Sequence, residues 1–138
     1  MIIVDTNIVS ELMKAAPSVK VMAWVNAQEA NQLYITTVTI AEISYGLSIL
    51  DQGKRRDSLE DTFTKAVLAA FKYRILSFDE SAAHIYGKIM GHRKEIGRPL
   101  SALDGQIAAI AKAHDATLAT RNIKDFGHCE IPLINPFK

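Results

Sequence analysis

Apolar residues open the chain as a block, with Ile2, Ile3 and Val4 in a row before Asp5. A short continuous apolar run of this kind fits a strand buried on both faces. Asp5, Thr6 and Asn7 are helix-starting residues, and Ile8, Val9 and Leu12 follow at helical spacing. Val21, Trp24, Val25 and Gln28 predict a second helix, begun near Ser18 after Pro17. Leu33 to Thr37 is rich in strand formers. Thr39-Ile40-Ala41-Glu42 then reads as a capping box, opening a helix whose apolar stripe is Ile40, Ile43, Leu47 and Leu50 and which Gly53 closes. Ser58 to Phe71 predicts a charged amphipathic helix, and Arg74 to Phe78 a strand.

Asp79 or Ser81 caps a long helix with Ile85, Ile89 and Ile96 on its face, ended by Gly97-Arg98-Pro99. Ser101-Ala102-Leu103-Asp104 is a second capping box, opening a helix with Leu103, Ile107, Ile110 and His114 on one stripe. Thr117 to Thr120 and Ile131 to Ile134 complete the strands. Strands alternating with helices imply an α/β fold, a mainly parallel sheet covered on both faces. No linker or repeat interrupts the pattern, so residues 1–138 are expected to form a single domain.

Composition narrows the function. With 138 residues and 49% of them apolar, the chain can build a core without staples. Sixteen basic against 15 acidic side chains leave a net charge of +1, which excludes a histone-like polycation. Any binding of nucleic acid must come from a local patch. One cysteine, Cys129, excludes a disulfide framework and a thiolate zinc site, and suits a reducing cytoplasm. The start has no basic leader, and the longest apolar run, Ala66 to Phe71, is far short of the roughly 20 residues of a membrane helix. Neither a signal peptide nor a membrane span is expected.

In open α/β sheets function gathers beyond the carboxyl ends of the strands. Asp5, Glu42 and Asp104 stand at such junctions, and Asn122 and Asp125 follow the fourth strand. Carboxylates crowded into one cleft raise each other's pKa, and a divalent cation relieves them. All-oxygen ligation suits Mg²⁺, with Mn²⁺ a plausible substitute, and such ions serve phosphate chemistry. Each acid also has a plain explanation. Asp5 is a fitting N-cap, worth about 1 kcal/mol, and Glu42 and Asp104 sit third after Thr39 and Ser101, where acids meet the helix dipole. Spacing alone does not separate the two readings.

The wording of four segments does. Met-Ile-Ile-Val-Asp5-Thr6-Asn7, Thr39-Ile40-Ala41-Glu42-Ile43-Ser44-Tyr45-Gly46, Arg98-Pro99-Leu100-Ser101-Ala102-Leu103-Asp104-Gly105-Gln106-Ile107-Ala108-Ala109 and Leu118-Ala119-Thr120-Arg121-Asn122 together resemble the PIN-domain nucleases. The resemblance is strongest to VapC toxins of bacterial toxin–antitoxin pairs, in the FitB-like branch, and covers essentially the whole chain. It implies a three-layer α/β/α sandwich around a parallel sheet, and a Mg²⁺-dependent endoribonuclease in which water attacks the phosphodiester. Asp5, Glu42 and Asp104 match the family's core acids, and Thr6 a hydroxyl that steadies the phosphate or its water. Asn122 stands where an aspartate is often found, with Asp125 the nearest acid, which bears on a second metal ion. The resemblance further implies a homodimer and a small antitoxin partner through which alone operator DNA is met.

Basic residues are candidates for the RNA backbone. Lys54-Arg55-Arg56 reads better as a solvated helix face; Arg93 and Lys94 are further candidates, and Arg98 is better placed because it lies just before the Asp104 helix. Arg121 adjoins the crevice, to meet phosphate or to pair with an acid. The four histidines match no zinc spacing. A competing reading is a weakly active or inactive binding module that works with a DNA-binding antitoxin.

Overall fold

Ile2–Val4 forms β1, and hydrogen-bonded parallel neighbours flank it on both sides in the computed structural model, which describes residues 1–138. The remaining strands are β2 (Leu33–Thr36), β3 (Ile75–Leu76), β4 (Thr117–Ala119) and β5 (Leu133–Ile134). All pairings are parallel, in the order β3-β2-β1-β4-β5. The chain builds outward from β1 to one edge, then returns to build the other. The reversal between β1 and β4 is the topological switch point, where open α/β sheets place their ligands.

The helices are α1 (Thr6–Leu12), α2 (Val19–Ala27), α3 (Thr37–Ser48), α4 (Lys54–Asp61), α5 (Leu68–Ala70), α6 (Glu80–Glu95) and α7 (Ala102–Ala113), with a wider π-type turn at Thr62–Val67 joining α4 to α5. Because successive strand residues face opposite ways, β1 and β4 divide between two cores. Ile3 and Leu118 pack with Ile107, Ala108 and Ile110 of α7 and Ile89 of α6. Val4 and Ala119 pack with Ile8 and Val9 of α1, Val21 of α2 and Ile43 of α3. The expected three layers are therefore present. Trp24 is half-buried against the second core.

Several local expectations are corrected. Thr36, not Thr39, caps α3: its hydroxyl accepts from the Thr39 N–H at 3.1 Å. The helix starts three residues early because the strand runs straight into it, and Glu42 lies in its second turn rather than in a capping box. Gly53 does not close α3, which ends at Ser48; with φ of 150° it precedes the earlier-starting α4. Leu103 and His114 are exposed rather than part of the α7 core stripe. The Ser101 cap holds, its hydroxyl accepting from the Asp104 N–H at 3.3 Å.

Arg93 is also corrected: it is buried and unavailable to RNA. Its Nε donates to the Arg98 carbonyl at 2.7 Å, and its Nη1 to the carbonyls of Asp125 and Gly127 at 2.8 and 2.9 Å. One guanidinium thus ties the strap before α7 to the loop after β4.

Candidate active site

Asp5 ends β1 at the switch point and is buried, with 4% of its surface exposed. Its Oδ1 accepts from the Thr6 N–H at 2.8 Å, so the N-cap role is real. Its Oδ2 accepts from the Thr120 hydroxyl at 2.8 Å and the Asn7 amide at 3.2 Å. Thr120 is fully buried at the end of β4 and its hydroxyl also accepts from the Asn122 N–H at 3.0 Å. The two strands bordering the switch point are therefore latched by one hydroxyl.

Glu42 reaches the same place from α3. Its Oε1 accepts from the Thr6 hydroxyl at 2.8 Å, and that hydroxyl lies 3.0 Å from the Thr39 hydroxyl. Since Glu42 lies outside the first turn, helix capping does not account for it. The Thr6 proton is committed to Glu42, so Thr6 positions this acid rather than standing free for phosphate. Asp104 arrives on the first turn of α7, half-buried.

Electrostatics tie the acids together. Burial pushes the Asp5 carboxyl from its ordinary 3.8 up to about 6; the hydrogen bonds from Thr120 and Thr6 oppose this, and the charges of Asp104 and Glu42 add to it. Burial also raises Asp104, with Ser101 opposing and the Asp125 charge adding. The side chains of Asn122 and Asp125 are exposed at the rim. Arg98 is exposed with its side chain unpaired. Arg121 is partly spoken for: it lies 3.8 Å from Glu11 and 3.7 Å over the Phe137 ring.

Glu11, a residue the sequence reading passed over, is buried in α1. The Ser18 N–H, at 2.9 Å from Oε2, holds its carboxyl below the ordinary range, helped by Lys14 at 3.0 Å. Thr120, Asn7 and Thr39 figure in the sequence only as strand-end or helix-start residues, not as parts of the site. The signal for Thr120 is its position: it follows β4 as Asp5 follows β1.

The donor set fits a hard divalent cation. All donors are carboxylate or amide oxygens, while His92, His128 and Cys129 line a separate cavity between α6 and the C-terminal end of α7. No three acid, histidine or cysteine side chains come close enough to cage an ion directly. Mg²⁺ does not require that, since it keeps several waters and binds through one or two carboxylates.

The raised Asp5 pKa carries a stability cost. Protons bind the folded state more tightly than the unfolded chain between the two pKa values, so stability falls as pH rises through that window. The gap is worth about 3 kcal/mol in total, of which about 1 kcal/mol is expressed between pH 5 and 7. Melting in chelator should therefore show higher stability at pH 5 than at pH 7, with Asp5→Asn removing most of that slope. A flat profile in the unaltered protein counts against a strained Asp5 carboxylate.

The chain as a whole is similar to known proteins. Residues 2–128 match the family model of the PIN domain. The chain is 39% identical to the VapC ribonuclease Y4jK of Sinorhizobium fredii, over 100% of this chain and 99% of that protein. It is 36% identical to toxin FitB of Neisseria gonorrhoeae, over 99% of each. The crystal structure of FitAcB from Neisseria gonorrhoeae superposes with a TM-score of 0.93 at 36% identity, covering 99% of both chains.

Proposed function

Because the chain belongs to the PIN-domain family, we propose that it is a Mg²⁺-dependent endoribonuclease acting as the toxin of a toxin–antitoxin pair. What supports this reading most is the hydrogen-bonded link at the switch point, where Thr120 and Thr6 hold Asp5 and the Thr6 hydroxyl also holds Glu42 at 2.8 Å, with the charge of Asp104 near enough to raise the Asp5 carboxyl. The names of the FitB and VapC relatives support the ribonuclease and toxin assignments.

Asp5 and Asp104 are the residues that would hold the cation, with Glu42 reached directly or through water. Mn²⁺ would substitute. Such an ion, when bound, neutralises phosphoryl oxygens and makes water more acidic. The chain supplies the rest. Thr120, Thr6 and Asn7 fix the Asp5 carboxylate in one orientation, which lowers the reorganisation needed when phosphate arrives. Thr6 holds Oε1 of Glu42, leaving Oε2 without a protein partner and able to orient the attacking water. Asn122 offers an amide oxygen but no charge, so a second cation would be held weakly, with Asp125 as its nearest carboxylate. Arg98, exposed and unpaired, is a cation for the RNA backbone; Arg121, shared with Glu11 and Phe137, contributes less.

Relatives of this chain have been solved as assemblies: FitAcB of Neisseria gonorrhoeae, and VapBC2 of Rickettsia felis bound to a DNA fragment from their promoter. By that likeness the chain pairs with a cognate antitoxin and meets operator DNA through it, and its resemblance to the family implies a homodimer. No helix is long and apolar enough to cross a membrane, and a lone free cysteine fits the cytoplasm.

Incubation of antitoxin-free protein with mixed RNA tests this directly. Cleavage leaving 5′-phosphate ends is expected with Mg²⁺ and none with chelator. Intact RNA at high protein concentration, together with tight antitoxin binding, would instead identify an inactive binding module, a reading for which the uncharged Asn122 gives a physical motive.

A further inference from the structure

The triplet Lys54-Arg55-Arg56 does not behave as one solvated face. Arg56 is held by Glu60 at 2.8 Å and by the Leu50 carbonyl at 3.3 Å. Arg55 has neither an acid nor a carbonyl partner, and it lines a cleft of 290 Å³ between α1, α3 and α4. Thr6 and Glu42 line the same cleft, so it opens onto one of the proposed catalytic acids and the hydroxyl that holds it. Its floor is aliphatic, formed by Met13, Leu47 and Leu59, of which Met13 and Leu47 are otherwise buried.

Gly46 forms part of the wall. A glycine inside a helix weakens it relative to alanine. No close packing requires one here, because a Cβ built on Gly46 would meet nothing within 4 Å. What the missing side chain does is leave the cleft open.

We infer that this cleft is a subsite for one nucleotide of single-stranded RNA adjoining the cleaved phosphate, with its base on the aliphatic floor and its phosphate on Arg55. The inference rests on the nuclease reading above. An unpaired guanidinium in the same cleft as Glu42 suits a strand of successive phosphates: the cleaved phosphate lies at the proposed acids and their cation, and its neighbour on Arg55. The planar fork of arginine matches phosphate oxygens. A few polar groups over an apolar floor is the usual composition of a ligand site. A base must be unpaired to lie on that floor, so duplex RNA is excluded from the subsite.

The test uses a short fluorescein-labelled single-stranded RNA of mixed sequence, with binding read by anisotropy and cleavage by gel, in Mg²⁺. Arg55→Ala should weaken binding and raise KM by about tenfold, the loss expected for one charge-assisted contact, with kcat unchanged. Its log–log salt slope should fall by about 0.7, one phosphate's share on a single strand. Arg55→Lys should recover part of the binding. Gly46→Met, a better helix former, should fill the cleft and raise KM without lowering the melting temperature. Arg56→Ala is the control that leaves both parameters alone.

Unchanged binding and salt slope in Arg55→Ala and Gly46→Met overturn the subsite while leaving the nuclease reading standing. Absence of Mg²⁺-dependent cleavage by the unaltered protein overturns the nuclease reading, and anisotropy still decides the subsite. Variants that bind RNA normally but lose affinity for the antitoxin assign the cleft to a protein partner and overturn the inference.

Discussion

Asp104→Asn lowers Mg²⁺-dependent RNA cleavage by about a hundredfold to a thousandfold while the protein still folds, the range expected when one electrostatic element is removed from a preorganised site. The argument is geometric. Asp104 stands on the first turn of α7, where its own N–H is satisfied by the Ser101 hydroxyl. Asparagine keeps that bond and the shape of the side chain. It loses the charge, whose interaction with the helix dipole contributes about 0.3–1 kcal/mol. Relief from burial and from the Asp125 charge, both of which disfavour the carboxylate, offsets that loss. Activity and stability are therefore separable at this position. Paired measurements of kcat/KM and melting temperature check it, and cleavage at the unaltered rate by a folded Asp104→Asn protein removes Asp104 from the proposed machinery.

Arg93→Met should cost about 3 kcal/mol of stability. The methionine chain fills much of the space, so the loss is not a cavity effect. It comes from three backbone carbonyls, those of Arg98, Asp125 and Gly127, that lose a shared charged donor. Leaving a buried polar group unpaired costs about 1–3 kcal/mol each, with partial recovery where water enters. Arg93→Lys should rescue little, because one ammonium cannot serve divergent acceptors as a fork does. Denaturant unfolding of the three proteins decides the matter. Equal stability of Arg93→Met and the unaltered chain would show that the bridge is dispensable.

Arg93 also marks where sequence reading stops. Its place in Arg93-Lys94, one turn from the end of a polar helix, looks like a solvated basic face. Only the fold shows that α6 turns this position inward, onto a loop more than thirty residues downstream. The strands were legible because apolar runs and β-branched residues dictate them locally, and all five are found with the expected order along the chain. Helix ends were less so. Thr36 and Thr39 are both competent caps, and the choice between them depends on where β2 stops pairing with β3, which is tertiary information. The same limit applied to the site. Asp5, Glu42 and Asp104 could be picked out at strand and helix junctions and by their resemblance to a family. The hydroxyl partnerships that hold them could not: Thr6 was picked out but not its bond to Glu42, 36 residues on, and Thr120 meets Asp5 across 115 residues of chain.

Placing β1 at the centre of the sheet has a consequence during synthesis. The first acid is translated long before its partners: its strand gains its second neighbour only when β4 is made, and Thr120 follows immediately. A ribosome producing this chain therefore carries Asp5 without its latch while the more than one hundred residues between them are made. On the nuclease reading proposed above, the template and the translating machinery, RNA themselves, meet assembled acids only after β4 has cleared the exit tunnel.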